Sequence, residues 1–352
     1  MRRALDLAWR GWGRVQPNPL VGAVVLGTDG TVAGEGWHAE FGQRHAEPVA
    51  LDAAGERAEG ATLVVTLEPC NHHGKQPPCT DAVLAAGIRR VVAAVADPDP
   101  GASGGAARLG ARGVEVQIGL AREAAEAQNA IFLHRHRNAA RPFVALKLAT
   151  SLDGRIADSG GQSRWISGDA AREYVHWLRA GFDAIGVGGR TARLDDPRLT
   201  VRGPVTPRVP PRRVIFDTSA DLEPRLSVVR TAGETPTTVV TGPGASAERV
   251  RALEAAGVDV RRVGSLEEGL GALRGEGIGS LLVEGGGRLA GALLGQGLVD
   301  RYYWVQSPLW LGERGVPAIA GVPSDPIARA ERWKVSERRA LGDDTLLVLD
   351  RR

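Results

Sequence analysis

Three metal-binding side chains and one carboxylate stand in an order that suits zinc chemistry. His45, Cys70 and Cys79 offer one imidazole and two thiols, a borderline-soft set that zinc prefers. Three protein ligands leave a fourth coordination position for water, which distinguishes catalytic zinc from structural zinc. Glu47, two residues after His45, is the natural group to move a proton from that water to a departing amine. The pattern therefore predicts a hydrolytic zinc site.

The order of these residues narrows the chemistry further. Zinc deaminases that act on bases carry His-x-Glu followed by Pro-Cys-x-x-Cys. Here Pro69-Cys70 is separated from Cys79 by a longer segment, Asn71 to Pro78, so the fit to that short form is inexact. A lone His-x-Glu is common, but both parts occur in the deaminase order and use both cysteines of the chain. We therefore expect hydrolytic deamination of an amino-substituted base-like ring.

Prolines indicate where the elements that carry these side chains begin. Pro48 is tolerated at the first position of a helix, so we expect His45 and Glu47 to lie at the N-terminal end of that helix. Within a regular helix two residues at that spacing would point to different faces. A Pro-Pro pair places Cys79 at a second helix start, where the helix dipole lowers the pKa of a thiol.

The first part of the chain alternates strand-like and helix-like segments. This rhythm predicts a mainly parallel sheet covered on both faces. A hairpin turn centred on Asp29-Gly30 is expected at Gly27 to Thr31. The expected strands are Leu20 to Leu26, Ala61 to Pro69, Arg89 to Pro98 and Val114 to Gly119, and the expected helices are Pro48 to Ala58, Cys79 to Ala86, Ala106 to Arg112 and Ala121 to Arg137.

A second cycle of strands and helices begins after Arg141-Pro142. With 352 residues the chain suggests two domains, and we place them at residues 1–140 and 141–352. Arg202 to Arg213, rich in Pro and Arg, is expected to be a surface loop. The expected strands are Phe143 to Ala149, Ala184 to Gly189, Arg212 to Thr218, Thr237 to Gly242, Val258 to Val263 and Ser280 to Gly287, with helices at Ala170 to Ala180, Ser246 to Ala256 and Arg288 to Leu294 and a strand-rich stretch from Tyr302 to Leu349.

Composition and charge indicate a globular protein whose partner is a small molecule. Hydrophobic residues make up 43% and charged residues 24%, as in ordinary globular chains. The net charge of +3 is spread along the chain without a basic run, which argues against a nucleic-acid partner. A phosphorylated small molecule needs only a few well-placed arginines. The oligomeric state is left open, a homo-oligomer included.

A cytoplasmic location is the expectation from the cysteines and the apolar runs. The N-terminal segment Met1 to Arg14 has scattered charges and no continuous apolar stretch, unlike a signal peptide. Runs such as Leu20 to Leu26 are too short to cross a bilayer, so no membrane partner is expected. Two cysteines in a cytosolic chain indicate metal binding or catalysis rather than a disulfide.

The N-terminal motifs together resemble one known family. PNPLVGAVV at Pro17 to Val25, HAE at His45 to Glu47, EPCNHHGKQPPC at Glu68 to Cys79 and DPDP at Asp97 to Pro100 are similar to the deaminase domain of the bifunctional riboflavin-biosynthesis deaminase/reductases. The resemblance implies a cytidine-deaminase-like α/β/α sandwich. It also implies zinc ligation by His45, Cys70 and Cys79, acid/base catalysis by Glu47, and substrate contacts from Asn18, His72 and Lys75.

Three positions depart from the family pattern without touching a proposed ligand. Asp99 stands where the family usually has Asn, and Pro48 where it usually has an aliphatic residue. Gln16 is not the commonest residue before the Pro-Asn-Pro sequence. On the residues alone, His72 and Lys75 are equally well explained as exposed loop residues.

Motifs of the second half resemble the reductase domain of the same family, in the same order. They are Phe143 to Ala157, Gly161 to Gly168, Gly186 to Arg202 and Leu281 to Leu294. The resemblance implies a dihydrofolate-reductase-like α/β domain that uses NADPH. The implied substrate contacts are Ser163, Arg179, Leu199, Arg202 and Glu284, and the implied cofactor contacts are Ala149, Trp165, Thr191, Asp195, Thr218, Gly286, Gly287, Arg288, Leu289 and Ala290.

Part of this assignment has independent physical support. A strand that ends at Glu284, three glycines and a helix present free backbone N–H groups to a phosphate. Gly285-x-Gly287-x-x-Ala290 formally matches a dinucleotide fingerprint, but it lies late in the chain and lacks the acidic residue about twenty positions on. A tight structural turn is the alternative for this glycine cluster.

The other reductase assignments keep their alternatives as well. Arg179 and Arg202 offer bidentate guanidinium groups for a phosphate, and either is equally explained by a surface salt bridge. Trp165 is equally explained as a core aromatic residue.

The predicted function is therefore two consecutive reactions. The first is zinc-dependent deamination of 2,5-diamino-6-ribosylamino-4(3H)-pyrimidinone 5′-phosphate, and the second is NADPH-dependent reduction of its ribosyl to a ribityl chain. The alternative is a nucleic-acid base deaminase with a non-catalytic C-terminal ligand-binding domain. That alternative predicts stacking aromatics and a basic track, whereas aromatic residues are 5% of this chain.

Overall fold

A computed structural model describes residues 1–137, 140–323 and 325–352 of the chain. Its residues divide into two units, Met1–Arg137 and Asn138–Arg352. The boundary expected near residue 140 adjoins residues 138 and 139, which lie outside the described ranges. No helix in the described ranges is long and apolar enough to cross a membrane.

The first unit is built on a five-stranded mixed sheet of order β2-β1-β3-β4-β5. β3, β4 and β5 are parallel, as predicted, but β1 is antiparallel to both of its neighbours. The mainly parallel prediction was wrong for β1 because the turn near Gly30, whose φ is +78°, folds β2 straight back onto it. The strands are β1 Gly22–Leu26, β2 Val32–Trp37, β3 Thr62–Val65, β4 Arg90–Ala93 and β5 Glu115–Ile118.

Helices cover both faces of this sheet. Ala23 and Val25 of β1 pack in one apolar cluster with the second helix, while Val24 packs on the opposite face with Ala4 and Leu7 of the first. The alternation follows from the period of two in a strand. The helices are α1 Arg2–Ala8, α2 Ala46–Ala54, α3 Cys79–Ala85, α4 Gly105–Ala111, α5 Arg122–Gln128 and α6 Ala130–Arg137, with 3₁₀ turns at Trp9–Gly11 and Gly55–Ala58.

The long helix predicted from Ala121 to Arg137 is interrupted. Asn129 lies between α5 and α6, and its side chain is hydrogen-bonded to the backbone of Leu20. Its Oδ1 accepts from Leu20 N at 2.8 Å and its Nδ2 donates to Leu20 O at 2.9 Å. An Asn side chain readily replaces backbone partners in this way, so a long-range contact overrides the local helical pattern.

The second unit is built on a nine-stranded sheet of order β11-β10-β9-β8-β12-β6-β13-β16-β15. The strands from β11 to β13 are parallel, and β16 and β15 complete the sheet as an antiparallel edge. β14 pairs with β7 in a small separate sheet. The strands are β6 Phe143–Thr150, β7 Arg155–Ala157, β8 Ala184–Gly188, β9 Arg212–Phe216, β10 Thr237–Thr241, β11 Asp259–Arg262, β12 Ser280–Glu284, β13 Arg301–Gln306, β14 Val316–Pro317, β15 Lys334–Leu341 and β16 Asp344–Asp350.

Helices of the second unit follow most of its parallel strands. α8, α9 and α11 were not predicted from the sequence, whereas α7, α10 and α12 lie within a few residues of their expected bounds. Because parallel strands share a direction, their carboxyl ends meet at one edge of the sheet, where ligands bind in such folds. The helices are α7 Asp169–Arg179, α8 Gly189–Asp195, α9 Ser227–Arg230, α10 Ala247–Ala255, α11 Leu266–Gly275 and α12 Gly287–Gly295.

Arg213 corrects the prediction that the segment up to this residue is a surface loop. It belongs to β9 and is 1% exposed. Its guanidinium donates to Thr231 Oγ1 at 2.8 Å, to Thr231 O at 2.9 Å and to Thr235 O at 2.6 Å. The buried side chain therefore provides the donors for a partly exposed turn at Thr231 to Thr235.

Replacement of Arg213 tests how much these contacts stabilise the fold. We expect Arg213→Met to lower the free energy of unfolding by about 2–4 kcal/mol, because two carbonyls and a hydroxyl in a partly buried turn lose their donor. Urea unfolding followed by circular dichroism measures the change. Arg230→Met, at an exposed position on α9, is the control and should leave the midpoint unchanged. A wild-type midpoint for Arg213→Met would contradict a structural role.

Candidate active sites

The predicted zinc ligands converge in the first unit. His45, Cys70 and Cys79 offer ligand atoms that all lie within 4.8 Å of one another. His45 Nδ1 is 3.2 Å from Cys79 Sγ and 3.5 Å from Cys70 Sγ. A tetrahedral zinc with ordinary bond lengths requires nitrogen–sulfur edges of about 3.6 Å. The donor set and its spacing therefore fit zinc.

Close packing between β2 and α2 positions His45 and Glu47. His45 is the N-cap of α2, and the helix begins at Ala46 rather than at Pro48 as predicted. Pro48 is tolerated because the first N–H groups of a helix have no partner within it. A Cβ on Gly36 would lie 2.3 Å from Ala46 O, so only glycine lets the helix backbone approach the strand this closely.

Glu47 is held in an environment that suits proton transfer. Its side chain is 3% exposed on the first turn of α2. Burial, together with the negative charge of Cys70, raises the pKa of Glu47 to about 7. A carboxyl group with a pKa near neutrality can both take up and release a proton under ordinary conditions.

The side chains of Cys70 and Cys79 share a hydrogen bond. A hydrogen bond from the Cys79 thiol, with further bonds from His45 and the Cys79 backbone N–H, lowers the pKa of Cys70 to about 4. The same contact with Cys70, together with burial, raises the pKa of the Cys79 thiol. The Cys70 contact also raises the pKa of His45. These contacts therefore favour the thiolate form of Cys70, which attracts a cation.

The loop between the cysteines is attached to the segment that precedes α2. Lys75 Nζ lies 4.0 Å from the ring centroid of Phe41, and Gln76 Nε2 donates to Gly42 O at 3.1 Å. His72 Nδ1 is buried without a hydrogen-bond partner in the described part of the chain. These contacts keep the loop close to the segment that leads into His45.

Asn18 contacts the imidazole ring of His38 in the same unit. Its Nδ2 lies 3.3 Å from Nε2 of the buried His38, and Nδ1 of that ring lies 3.1 Å from Arg44 O. Because a carbonyl can only accept, Nδ1 carries the ring proton and Nε2 accepts from the amide. The Asn18 amide oxygen is thereby left for another donor.

The structure explains one departure from the family pattern. Asp99 Oδ1 accepts the backbone N–H of Gly101 at 2.9 Å. An Asn side chain offers an equivalent oxygen for the same turn, so either residue meets the local requirement.

A cleft of about 1550 Å³ lies at the carboxyl ends of the parallel strands in the second unit. All but one of the predicted reductase residues line it. Ala290, the exception, is fully buried in α12. The lining set comprises Ala149, Ser163, Trp165, Arg179, Thr191, Asp195, Leu199, Arg202, Thr218, Glu284, Gly286, Gly287, Arg288 and Leu289.

Glu284 and Arg179 bind each other at the floor of this cleft. Arg179 Nε and Nη2 donate to the two Glu284 carboxylate oxygens at 2.6 and 2.8 Å, and Nη1 donates to Thr200 O at 2.9 Å. Burial opposes ionisation, but the Arg179 charge and hydrogen bonds hold the pKa of Glu284 below its usual value. Arg179 is thus not a surface salt-bridge residue.

Lys147 is a cleft residue that sequence analysis missed. It pairs in register with Glu284 of the neighbouring strand, so both side chains lie on one face of the sheet. Burial lowers the pKa of this lysine, while the Glu284 charge opposes the shift. A lysine within the apolar strand Phe143–Thr150 was the available signal, because lysine rarely leaves the solvent without a charged partner.

Trp165 and Leu199 are two further residues of the cleft. Trp165 is 69% exposed, with the Arg172 guanidinium 4.6 Å from its ring centroid, so it is not a core residue. Leu199 is buried and adopts a φ of +51°. A branched residue in that conformation is uncommon and indicates a tightly constrained segment.

The glycines after β12 form a turn at the start of α12. Gly286 is the N-cap of α12 with a φ of +86°, and a Cβ there would lie 3.1 Å from Thr191 Oγ1. The turn leaves the first N–H groups of α12 open to a ligand.

Gly286→Ala should weaken cofactor binding selectively. Alanine at a positive φ costs about 1–2 kcal/mol, so we expect the KM for NADPH to rise about 5- to 30-fold. Steady-state kinetics with the deaminated substrate measure it. Gly275→Ala, at an open helical position in α11, serves as the control and should behave as wild type. An unchanged KM in Gly286→Ala would remove this turn from the cofactor site.

Comparison with known families covers both units. The family model for the RibD C-terminal domain matches residues 142–347. The model for the cytidine and deoxycytidylate deaminase zinc-binding region matches residues 1–95. Each match contains the site residues of the corresponding unit.

Individual relatives match nearly the whole chain. The riboflavin biosynthesis protein RibD of Escherichia coli (strain K12) is 40% identical over 99% of this chain and 98% of its own. The structure of Acinetobacter baumannii RibD superposes with a TM-score of 0.82 at 35% identity, covering 100% of this chain and 97% of that one. The deaminase/reductase of Thermotoga maritima gives 0.83 at 35% identity with the same coverage.

Proposed function

This chain belongs to the RibD family of riboflavin-biosynthesis deaminase/reductases, and we propose from that premise how its residues divide the two reactions. The chain is a bifunctional enzyme with a cytidine-deaminase-like unit and a dihydrofolate-reductase-like unit. We assign deamination of 2,5-diamino-6-ribosylamino-4(3H)-pyrimidinone 5′-phosphate to residues 1–140 and reduction of the ribosyl group to residues 141–352. The observation that carries the assignment is the cluster of His45, Cys70 and Cys79 beside a buried Glu47.

In the first unit each residue has a defined task. Zinc held by His45, Cys70 and Cys79 supplies the Lewis acidity that hydrolysis of the ring amine needs. Glu47 carries the proton between the attacking water and the ring, since its pKa lies near neutrality. We assign the polar contacts for the pyrimidine and its phosphate to the amide oxygen of Asn18, to His72 Nδ1 and to the Lys75 ammonium.

In the second unit the cleft orients cofactor and sugar. NADPH supplies the hydride, and the turn at Gly286 and Gly287 binds its phosphates. Arg179 holds the Glu284 carboxylate in one orientation beside Lys147, so a charged pair faces the sugar. Arg202 and Ser163 are assigned to the substrate phosphate, and Trp165 to the cofactor.

Two further proposals concern the cellular compartment of the enzyme and its oligomeric state. Use of both thiols as zinc ligands suits a reducing compartment, so we propose that the enzyme is cytoplasmic. A homo-oligomer remains a prediction. The alternative of a nucleic-acid base deaminase finds no support, because relatives over nearly the full chain are RibD proteins.

A coupled assay on zinc-replete enzyme tests the proposal. With the diaminopyrimidine phosphate as substrate, we expect ammonia release followed by loss of NADPH absorbance. Ammonia without NADPH oxidation would reduce the second unit to a binding domain. A failure to release ammonia would contradict the substrate assignment.

A further inference from the structure

A side chain outside the zinc motif contacts the residue that follows each cysteine ligand. Arg108, on α4, donates from Nη1 to Asn71 Oδ1 at 3.0 Å and to Thr80 Oγ1 at 2.9 Å. Its Nη2 donates to Asp81 Oδ1 at 2.6 Å. Asn71 follows Cys70 and Thr80 follows Cys79, so one guanidinium spans both sides of the metal site.

The start of α4 is fixed against the strand end that leads to Cys70. Glu68 is buried, and its Oε1 accepts the backbone N–H of Ala106 at 2.8 Å. A Cβ on Gly105 would lie 1.8 Å from Pro69 O, so the helix backbone rests directly on this segment. Asn71 N donates to Ala102 O at 2.9 Å. These contacts fix where the Arg108 side chain begins.

The cysteines need such a link because the chain between them is long. A two-residue spacer holds two thiols close by its own geometry, whereas the segment Asn71 to Pro78 does not. Two backbone contacts also join the cysteine segments directly, 3.4 Å from Cys79 N to Cys70 Sγ and 3.3 Å from Thr80 N to Cys70 O. The Thr80 hydroxyl, fully buried, completes the bridge by donating to Asn71 Oδ1 at 3.2 Å.

We propose that Arg108 is a positioning residue of the zinc centre. By tying Asn71 to Thr80 and Asp81, it holds Cys70 and Cys79 at the separation and orientation that zinc requires. The inference rests on the proposed zinc function of the first unit. Residues that orient metal ligands change metal affinity by about 10- to 100-fold when replaced.

The test measures zinc affinity in the full chain by competition with a chromophoric chelator. We expect Arg108→Met, which retains length but no donor, to weaken zinc binding about 10- to 100-fold. Arg108→Lys keeps the charge but cannot satisfy Asn71 and Asp81 together, so an intermediate loss is expected. Arg112→Met, exposed at the end of the same helix, is the matched control and should bind zinc as wild type does.

Two further readouts separate positioning from a general loss of fold. Reduction of supplied deaminated substrate by the second unit should be unchanged in every variant. Cobalt(II) in place of zinc should give altered d–d and thiolate bands in Arg108→Met but not in Arg112→Met. If Arg108→Met does not fold, Arg108→Lys carries the test.

The outcomes distinguish this inference from the proposed function. Wild-type zinc affinity and cobalt spectra in both Arg108 variants would overturn the positioning role, whatever the enzyme deaminates. Weakened zinc affinity in these variants supports the positioning role. If the wild-type enzyme binds zinc but releases no ammonia from the diaminopyrimidine phosphate, only the substrate assignment is refuted.

Discussion

Glu47→Gln is expected to lower ammonia release by about 10²- to 10⁴-fold, the usual contribution of a positioned acid/base group. The amide fills the same buried space but cannot carry a proton, so the loss reports chemistry rather than packing. Glu47→Ala should lose deamination too. Reduction of supplied deaminated substrate should continue at the wild-type rate in both variants. Ammonia release and NADPH absorbance, followed separately, measure the two activities.

The matched control for this prediction lies on the same helix. Asp52 is an exposed carboxylate of α2 paired with Arg44, and Asp52→Asn should retain deamination. Ammonia release within tenfold of wild type in Glu47→Gln would exclude Glu47 as the proton carrier. Loss of reduction in that variant would show that the two sites are not independent.

Glu284→Gln should disable and destabilise the second unit. The change leaves the buried Arg179 guanidinium and Lys147 ammonium without the carboxylate that balances them. Breaking a buried ion pair on one side costs about 3–5 kcal/mol of unfolding free energy. We expect NADPH-dependent reduction to fall at least about 100-fold, as for other charged groups aimed at a reacting centre. Urea unfolding and NADPH oxidation measure the two effects.

An exposed pair in the same unit provides the comparison. Glu223 pairs with Arg225 at the surface, and Glu223→Gln should alter neither the unfolding midpoint nor the reduction rate. Deamination should persist in Glu284→Gln because the zinc ligands belong to the other unit. Wild-type reduction in Glu284→Gln would refute its assignment to the substrate site.

Short-range patterns were sufficient to predict the zinc site. Soft ligands in the deaminase order identified the cluster of His45, Cys70 and Cys79. The acid/base role of Glu47 stays a prediction. The Pro-Pro pair correctly placed Cys79 at the start of α3. These predictions succeeded because each depends on side-chain chemistry or on the backbone limits of proline, both of which are local.

The features that sequence analysis missed depend on contacts between residues far apart in the chain. Asn129 ends α5 because of a partner more than a hundred residues earlier along the chain, and β1 is antiparallel because of its pairing with β2 and β3. Lys147 became a site residue only when the register of β6 with β12 placed it beside Glu284. Arg108 has no motif of its own and is recognised only by its partners.

The sequence by itself determined the zinc ligand set and the order of most strands and helices, since residue type and local periodicity carry that information. The reduction was implied only by the resemblance of the later motifs to a known family. Tertiary structure alone decided that Arg179 binds Glu284, that Arg213 is buried, and that one arginine of α4 links the two cysteine segments. The physical reason is that a hydrogen bond or ion pair depends on distance in space, and chain separation does not reveal which side chains sheet pairing and helix packing bring together.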